Sequence, residues 1–131
     1  MGMVRFVNPQ ELPWKAVESP SKENPDIPEA EKVTLEAKVY YSGGREHPEH
    51  PELVEIRSQP GTVAQPHSHD EHEIMYVLEG ELQFGQRTYG PGSVVFVEKD
   101  TPYAFHVGTQ VNRVLLFRPR GGAHYIAEKI R

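Results

Sequence analysis

Gly61-Thr-Val-Ala-Gln-Pro-His67-Ser-His69-Asp-Glu-His-Glu73-Ile-Met-Tyr-Val-Leu-Glu-Gly80 is the stretch on which the reading of this chain turns. Successive side chains of a β-strand alternate between its faces, so His67 and His69 point the same way, one pleat apart. Asp70, Glu71 and His72 are polar and read as a short turn or bulge. Glu73 then opens an apolar strand and can face the same interior as the two imidazoles. By the same parity Val63 and Gln65 face inward with His67, and Met75 and Val77 with Glu73. Two histidines and a carboxylate on a rigid sheet offer N and O donors suited to one divalent transition metal, Fe, Mn, Ni, Zn or Co, with positions left for water or substrate.

The flanking sequence supplies the rest of such a scaffold. Val33, Leu35, Ala37 and Val39 alternate with Thr34, Glu36 and Lys38, the pattern of a half-buried strand. A loop from Ser42 to Pro51 follows, carrying Gly43-Gly44 and His47-Pro48-Glu49-His50-Pro51. Short apolar runs then cover 53–57, 62–65, 74–78, 81–84, 93–97, 103–107 and 111–118, separated by turn residues such as Pro60-Gly61 and Gly90-Pro91-Gly92. With no amphipathic helix between them, these runs predict an all-β antiparallel sandwich or barrel. Pro9, Pro13, Pro20, Pro25 and Pro28 bar a long helix or central strand from the first thirty residues. The chain thus divides into a Pro-rich arm (1–32), a β-barrel (33–120) and a tail (121–131). The arm's anchors are Phe6, Val7, Leu12, Trp14 and Val17, and its lone tryptophan is expected to pack on its own barrel or on a neighbouring subunit.

Composition narrows the chemistry. The 131 residues fit one domain with a real core, and the absence of cysteine leaves histidine and carboxylate as the strong metal ligands. A formal charge of −5 argues against a nucleic-acid partner. No apolar run approaches the roughly 18 residues of a membrane span, and the N-terminal stretch lacks the apolar core of a secretory signal. A soluble, cytoplasmic protein is the expectation.

The spacing Gly61, five residues, His67, one residue, His69, three residues, Glu73, six residues, Gly80 resembles the first sequence motif of the cupins, matched at every defining position. That resemblance implies a small double-stranded β-helix, jelly-roll-like, with His67, His69 and Glu73 as metal ligands. The second motif is degenerate. Gly92 fits, but Glu98 and Asp100 stand where proline and glycine are expected, Tyr103 stands in the slot of a fourth ligand, histidine, and Val107 replaces an asparagine. Tyr103 is therefore either a fourth ligand, which calls for its phenolate, or a hydrogen-bonding partner behind the ligands. His106 lies an odd number of residues away, on the opposite face unless a bulge intervenes.

A plainer reading stands beside this one: the two histidines hydrogen-bond Glu73 and water, with no metal. His72 reads as an exposed turn residue, His47 and His50 as solvated loop residues able to lean over a barrel mouth, and His124 is given no role. Gln65, Met75 and Phe105 are the expected pocket residues around a small-molecule ligand or substrate. Function then divides between a metal-dependent enzyme, with Fe(II)-type dioxygenase chemistry leading, and a non-catalytic cupin that senses or stores a small ligand or metal. Catalytic residues beyond the ligands are unknown from sequence. Strands apolar on both faces, as at Ile74-Met75-Tyr76-Val77-Leu78, call for a cover, and a homodimer is expected to supply it.

Overall fold

The alternation that begins near Leu35 folds as an eight-residue strand, and ten further strands follow the same rule in two antiparallel sheets. The computed structural model describes residues 2–18, 34–121 and 125–127; Val33 and His124 lie outside these. In chain order the strands are β1 (Lys15–Glu18), β2 (Thr34–Tyr41), β3 (Glu52–Ser58), β4 (Val63–His69), β5 (Glu73–Glu79), β6 (Leu82–Phe84), β7 (Arg87–Tyr89), β8 (Val94–Val97), β9 (Tyr103–Val107), β10 (Asn112–Arg118) and β11 (Tyr125–Ala127). One sheet has the order β1-β2-β3-β10-β5-β8, the other β11-β4-β9-β6-β7. The expected all-β, jelly-roll-like architecture is what the chain adopts, as a sandwich of facing sheets. Among the described residues the helical content is a single 3-10 turn, Pro9–Glu11, and no helix is long and apolar enough to cross a membrane.

Register places the core. Along β10, Val114 stands opposite Ile56 of β3 and Val77 of β5, and Leu116 opposite Val54 and Met75. These inward rows meet Leu82 and Val107 from the second sheet, themselves a ladder pair. Met75, Val77, Leu82, Val97, Val107 and Val114 form one buried cluster. Burying a side chain of this size contributes roughly 1.5–3 kcal/mol, so the cluster is where most of the stability of the sandwich resides.

The outward face of the first sheet is divided. Over β2 and β3 it is charged: Glu36 accepts from Arg57 at 2.7 Å, and the buried Glu55 accepts from Arg113 at 2.7 Å and from Tyr40. Burial raises the Glu55 pKa, but the bonds from Arg113 and Tyr40 outweigh it, leaving the carboxyl below its ordinary range. Burial and Glu55 together push Tyr40 up to about 12. Trp14 of the arm lies on this half, its ring 4.1 Å from the Arg57 guanidinium and 4.6 Å from Lys38 Nζ, so the tryptophan packs on its own sheet. Next to it β1 pairs along β2 as a four-residue edge strand. Over β5 and β8 the face is apolar and open, with Ile74 opposite Phe96 and Tyr76 opposite Val94, all exposed.

Gly80 closes the β5–β6 turn with φ +76°, and its Cα lies so close to the Val111 carbonyl that a Cβ has no room. Gly85, in the β6–β7 turn, has φ +60° but open space around it. Gly85→Ala should therefore cost about 1 kcal/mol, from left-handed backbone alone. Gly80→Ala adds a backbone clash and should cost about 3 kcal/mol or more. Urea denaturation of the two variants checks this, and equal costs would remove the steric constraint.

Candidate metal centre and ligand cavity

The two sheets each bring a set of polar side chains to one end of the space between them. From the second sheet, β4 supplies Gln65, His67 and His69, and β9 supplies Tyr103, which stands opposite His67 in the ladder. From the first, Glu52 of β3 and Arg118 of β10 are register partners, and Phe117 pairs with Ile74, so Arg118 lies beside Glu73 of β5. Glu52, Arg118 and Glu73 thus form one inward row across three strands. All of these residues line a cavity of about 390 Å³ whose remaining walls are mostly apolar.

The local geometry has causes in the sequence. Pro66 cannot donate to a ladder, and the β4–β9 register shifts between Ala64 and His67. That bulge changes the parity expected for Val63: Ala64 now pairs with Phe105, while Val63 pairs with the exposed His106. Gln65, Met75 and Phe105 reach the cavity as expected, and Val63 and Ala64 both touch it. Val77 faces the core rather than the cavity.

His67 Nδ1–H donates to the Gln65 carbonyl at 2.7 Å, which fixes the tautomer and makes Nε2 the lone-pair nitrogen. Burial lowers the His67 pKa, and the bond to Gln65 opposes the shift without cancelling it. The His67 and His69 rings stand edge-on, 5.1 Å apart at 86°, and His69 Nε2 is 3.7 Å from Glu73 Oε2. Glu73 is only 1% exposed. Its Oε1 accepts from the Tyr103 hydroxyl at 2.8 Å, its Oε2 accepts from Arg118 Nε at 3.0 Å, and Arg118 Nη2 forms an ion pair with the same oxygen at 3.0 Å. Arg118 also donates to Glu52 at 3.2 Å, so one cation serves two carboxylates and the cavity keeps a negative excess that a divalent cation would offset.

His67, His69, Glu73 and Tyr103 are therefore brought together as the spacing implied, with the Tyr103 phenol on the carboxylate. Their donor set fits a divalent metal: an imidazole whose tautomer is already set, a second imidazole, and a buried carboxylate. His69 Nε2 and Glu73 Oε2 stand 3.7 Å apart, and the Glu73 carboxylate is engaged by Arg118 and Tyr103. Among the described residues, the His/Glu group with all ligand atoms within 4.8 Å of one another is His47, Glu49 and His50. His106 is exposed, and His72 instead accepts the Lys99 N–H at 3.1 Å in its turn. Sequence reasoning missed Arg118 and Glu52. The signal was present: Val114, Leu116 and Arg118 share one face of β10, so extending that parity by one step puts the guanidinium in the cavity.

The second motif keeps its backbone despite its sequence. Asp100, in the glycine position, adopts φ +61°, a conformation aspartate tolerates better than most residues, and its N–H donates to the His69 carbonyl at 2.7 Å.

Comparison with known proteins agrees with this fold. The family model described as "Cupin domain" matches residues 54–117, and no curated protein matches the chain by sequence. Among solved structures, the polyketide cyclase RemF from Streptomyces resistomycificus is 20% identical over 98% of this chain and 88% of its own, with a TM-score of 0.69. KdgF from Halomonas sp. is 22% identical over 90% of this chain and 96% of its own, at 0.63. A Methylibium petroleiphilum protein provisionally assigned as an acetylacetone dioxygenase is 10% identical over 90% of this chain and 78% of its own, at 0.66. Such identities speak for the fold. The chain is a small cupin-domain protein with a candidate His/Glu metal site.

The lowered His67 pKa carries a sign. Unfolded, this imidazole takes a proton near its ordinary value of 6.5; folded, it does so only at lower pH. Its contribution to stability is complete above about pH 6.5 and is lost as the pH falls toward the folded value. The melting temperature of chelator-treated protein should drop between pH 7 and 5, and His67→Gln should flatten that drop. An unchanged slope in the variant would show that His67 does not titrate in this way.

Proposed function

We propose that His67, His69 and Glu73 hold one divalent transition metal and that the protein is a metal-dependent enzyme acting on a small organic molecule, with dioxygenase-type Fe(II) chemistry the leading form. The observation that carries this reading is the His67 Nδ1–H bond to Gln65, which points the basic nitrogen of a buried, neutral imidazole toward the cavity. The acetylacetone dioxygenase assignment of a structural neighbour supports the same direction. When bound, the metal supplies Lewis acidity and, as Fe(II), redox chemistry toward oxygen. The chain's own groups do the rest. The apolar walls exclude water and hold the carbon skeleton, and Gln65 orients a polar group upon it. Tyr103, hydrogen-bonded to Glu73, can hand a proton to a substrate oxygen and recover it. Arg118 holds the Glu73 carboxylate in place.

A second reading is a non-catalytic cupin that binds a small ligand without metal. The Arg118 guanidinium on Glu73 favours it, because that ion pair already supplies a counter-charge. Metal content separates the two. After chelation and reconstitution with Fe(II), Mn(II), Ni(II) or Zn(II), wild type should hold an equivalent that is lost in His67→Ala, and Tyr103→Phe should keep it. No equivalent sensitive to His67 sinks the enzyme reading, and loss in Tyr103→Phe makes the tyrosine a ligand. Oxygen uptake with small diketones, phenols and thiols then tests for turnover.

The assembly we propose is a homodimer in the cytoplasm, closed over the open apolar half of the first sheet. Val94 and Phe96 are 61% and 59% exposed there, beside Ile74, Tyr76 and Phe117. Light scattering at tens of micromolar should give twice the chain mass of 14.9 kDa, and Phe96→Glu should halve it. A wild-type protein at the single-chain mass refutes the dimer.

A further inference from the structure

The loop before β3 carries a second constellation, separate from the cavity and independent of the function proposed for it. His47 Nδ1 lies 3.3 Å from Glu49 Oε1, and His50 Nε2 lies 3.7 Å from the same oxygen. The two imidazoles stack nearly parallel, with centroids 4.6 Å apart at 10°. Three donors from three different side chains thus meet at one point, all within 4.8 Å of one another. First-row metals bind imidazole nitrogen and carboxylate oxygen at about 2.0–2.2 Å, which separates neighbouring donors by a little over 3 Å. The two contacts to Glu49, at 3.3 and 3.7 Å, are already close to that spacing, and the two stacked rings have to turn so that their in-plane lone pairs converge on the ion.

What lifts this above a chance surface cluster is how the loop is held. The Tyr41 hydroxyl meets His50 Nδ1 at 2.6 Å, so when Nδ1 carries the proton and donates to the phenol oxygen, Nε2 is the lone-pair nitrogen facing Glu49. The backbone is tied at three points: His47 N–H to the Gly43 carbonyl at 3.1 Å, His50 N–H to the His47 carbonyl at 3.1 Å, and Gly121 N–H to the His50 carbonyl at 2.9 Å. Gly43 packs so closely on the His47 carbonyl that no side chain fits there. Pro48 and Pro51 restrict φ on either side of Glu49-His50. A loop ordered in advance loses little entropy on binding, which is the main obstacle to a surface metal site.

We propose that His47, Glu49 and His50 form a second metal site, selective for borderline ions such as Zn(II), Ni(II) or Cu(II). Two imidazoles and one carboxylate are the wrong donors for Ca(II) or Mg(II), which take mostly oxygen. Water fills the remaining positions of this exposed site. Glu52, two residues beyond His50, is the residue that holds Arg118. An ion on the loop would fix the segment that leads into the Glu52–Arg118–Glu73 row.

Calorimetric titration of the chelator-treated, untagged full chain with Zn(II), beside the His47→Ala/His50→Ala variant, tests this. His47 is exposed and His50 half-buried against Tyr41, and an unchanged melting temperature without metal verifies that the variant is folded. The variant should lose one equivalent relative to wild type, and His67→Ala should keep the loop equivalent, which separates this site from the cavity. Tyr41→Phe should weaken the loop equivalent by about 10-fold. Cu(II) on His67→Ala, in which the cavity pair is broken, should show hyperfine structure from two nitrogens that disappears when His47 and His50 are replaced as well. A stoichiometry that is the same with and without His47 and His50 overturns the proposal.

Discussion

A carboxylate with almost no exposed surface cannot sit in an apolar sandwich unless cations and donors meet it there, and Glu73 is such a carboxylate. Its compensation comes from both sheets: Arg118 across the ladder on one side, the Tyr103 hydroxyl from the other. Removing one partner of a buried pair of this kind costs roughly 3–5 kcal/mol, comparable to losing a large core side chain. The register of β10 between β3 and β5 is therefore constrained twice, by the apolar rows of Val114 and Leu116 and by the charged row that ends the strand. A slip by one residue would put Arg118 outside and leave two carboxylates facing each other.

The same division of polar and apolar rows organises the outer surface. Where β2 and β3 carry Lys38, Arg57 and Glu36, the arm adds Trp14 and closes the edge with β1. Over β5 and β8 the outward residues Ile74, Tyr76, Val94 and Phe96 are exposed. Cation–π contacts with Arg57 and Lys38 hold the tryptophan on the charged half of the sheet.

Most of this was legible in the chain. Period-two alternation located eight strands to within a residue or two, with the exception of β4, whose run continues through Pro66 to His69. The motif spacing brought His67, His69, Glu73 and Tyr103 into one cavity, and odd spacing put His106 on the other face. Three strands escaped notice for physical reasons. β1 lies among prolines, β7 is three residues with two of them exposed, and β11 is a short segment whose order comes from pairing with β4 rather than from its own pattern. Arg118 escaped because the parity of β10 gives only its inward direction, while its role depends on two partners far apart in sequence, Glu52 and Glu73. The bulge at Pro66 moved Ala64 into line with Phe105, and only the pairing with β9 reveals that shift.

Asp100 carries a consequence for how this site could change. Residue types in the β8–β9 turn differ from the cupin pattern, while the backbone at position 100 is left-handed and its N–H donates to the His69 carbonyl. The frame that would present a fourth imidazole at position 103 is already built, so a single codon separates the phenol from a histidine that resembles the family's donor. The donor at this position is thus open to change by one substitution with the turn left as it is, and the turn acts as a socket into which different donor chemistries can be fitted.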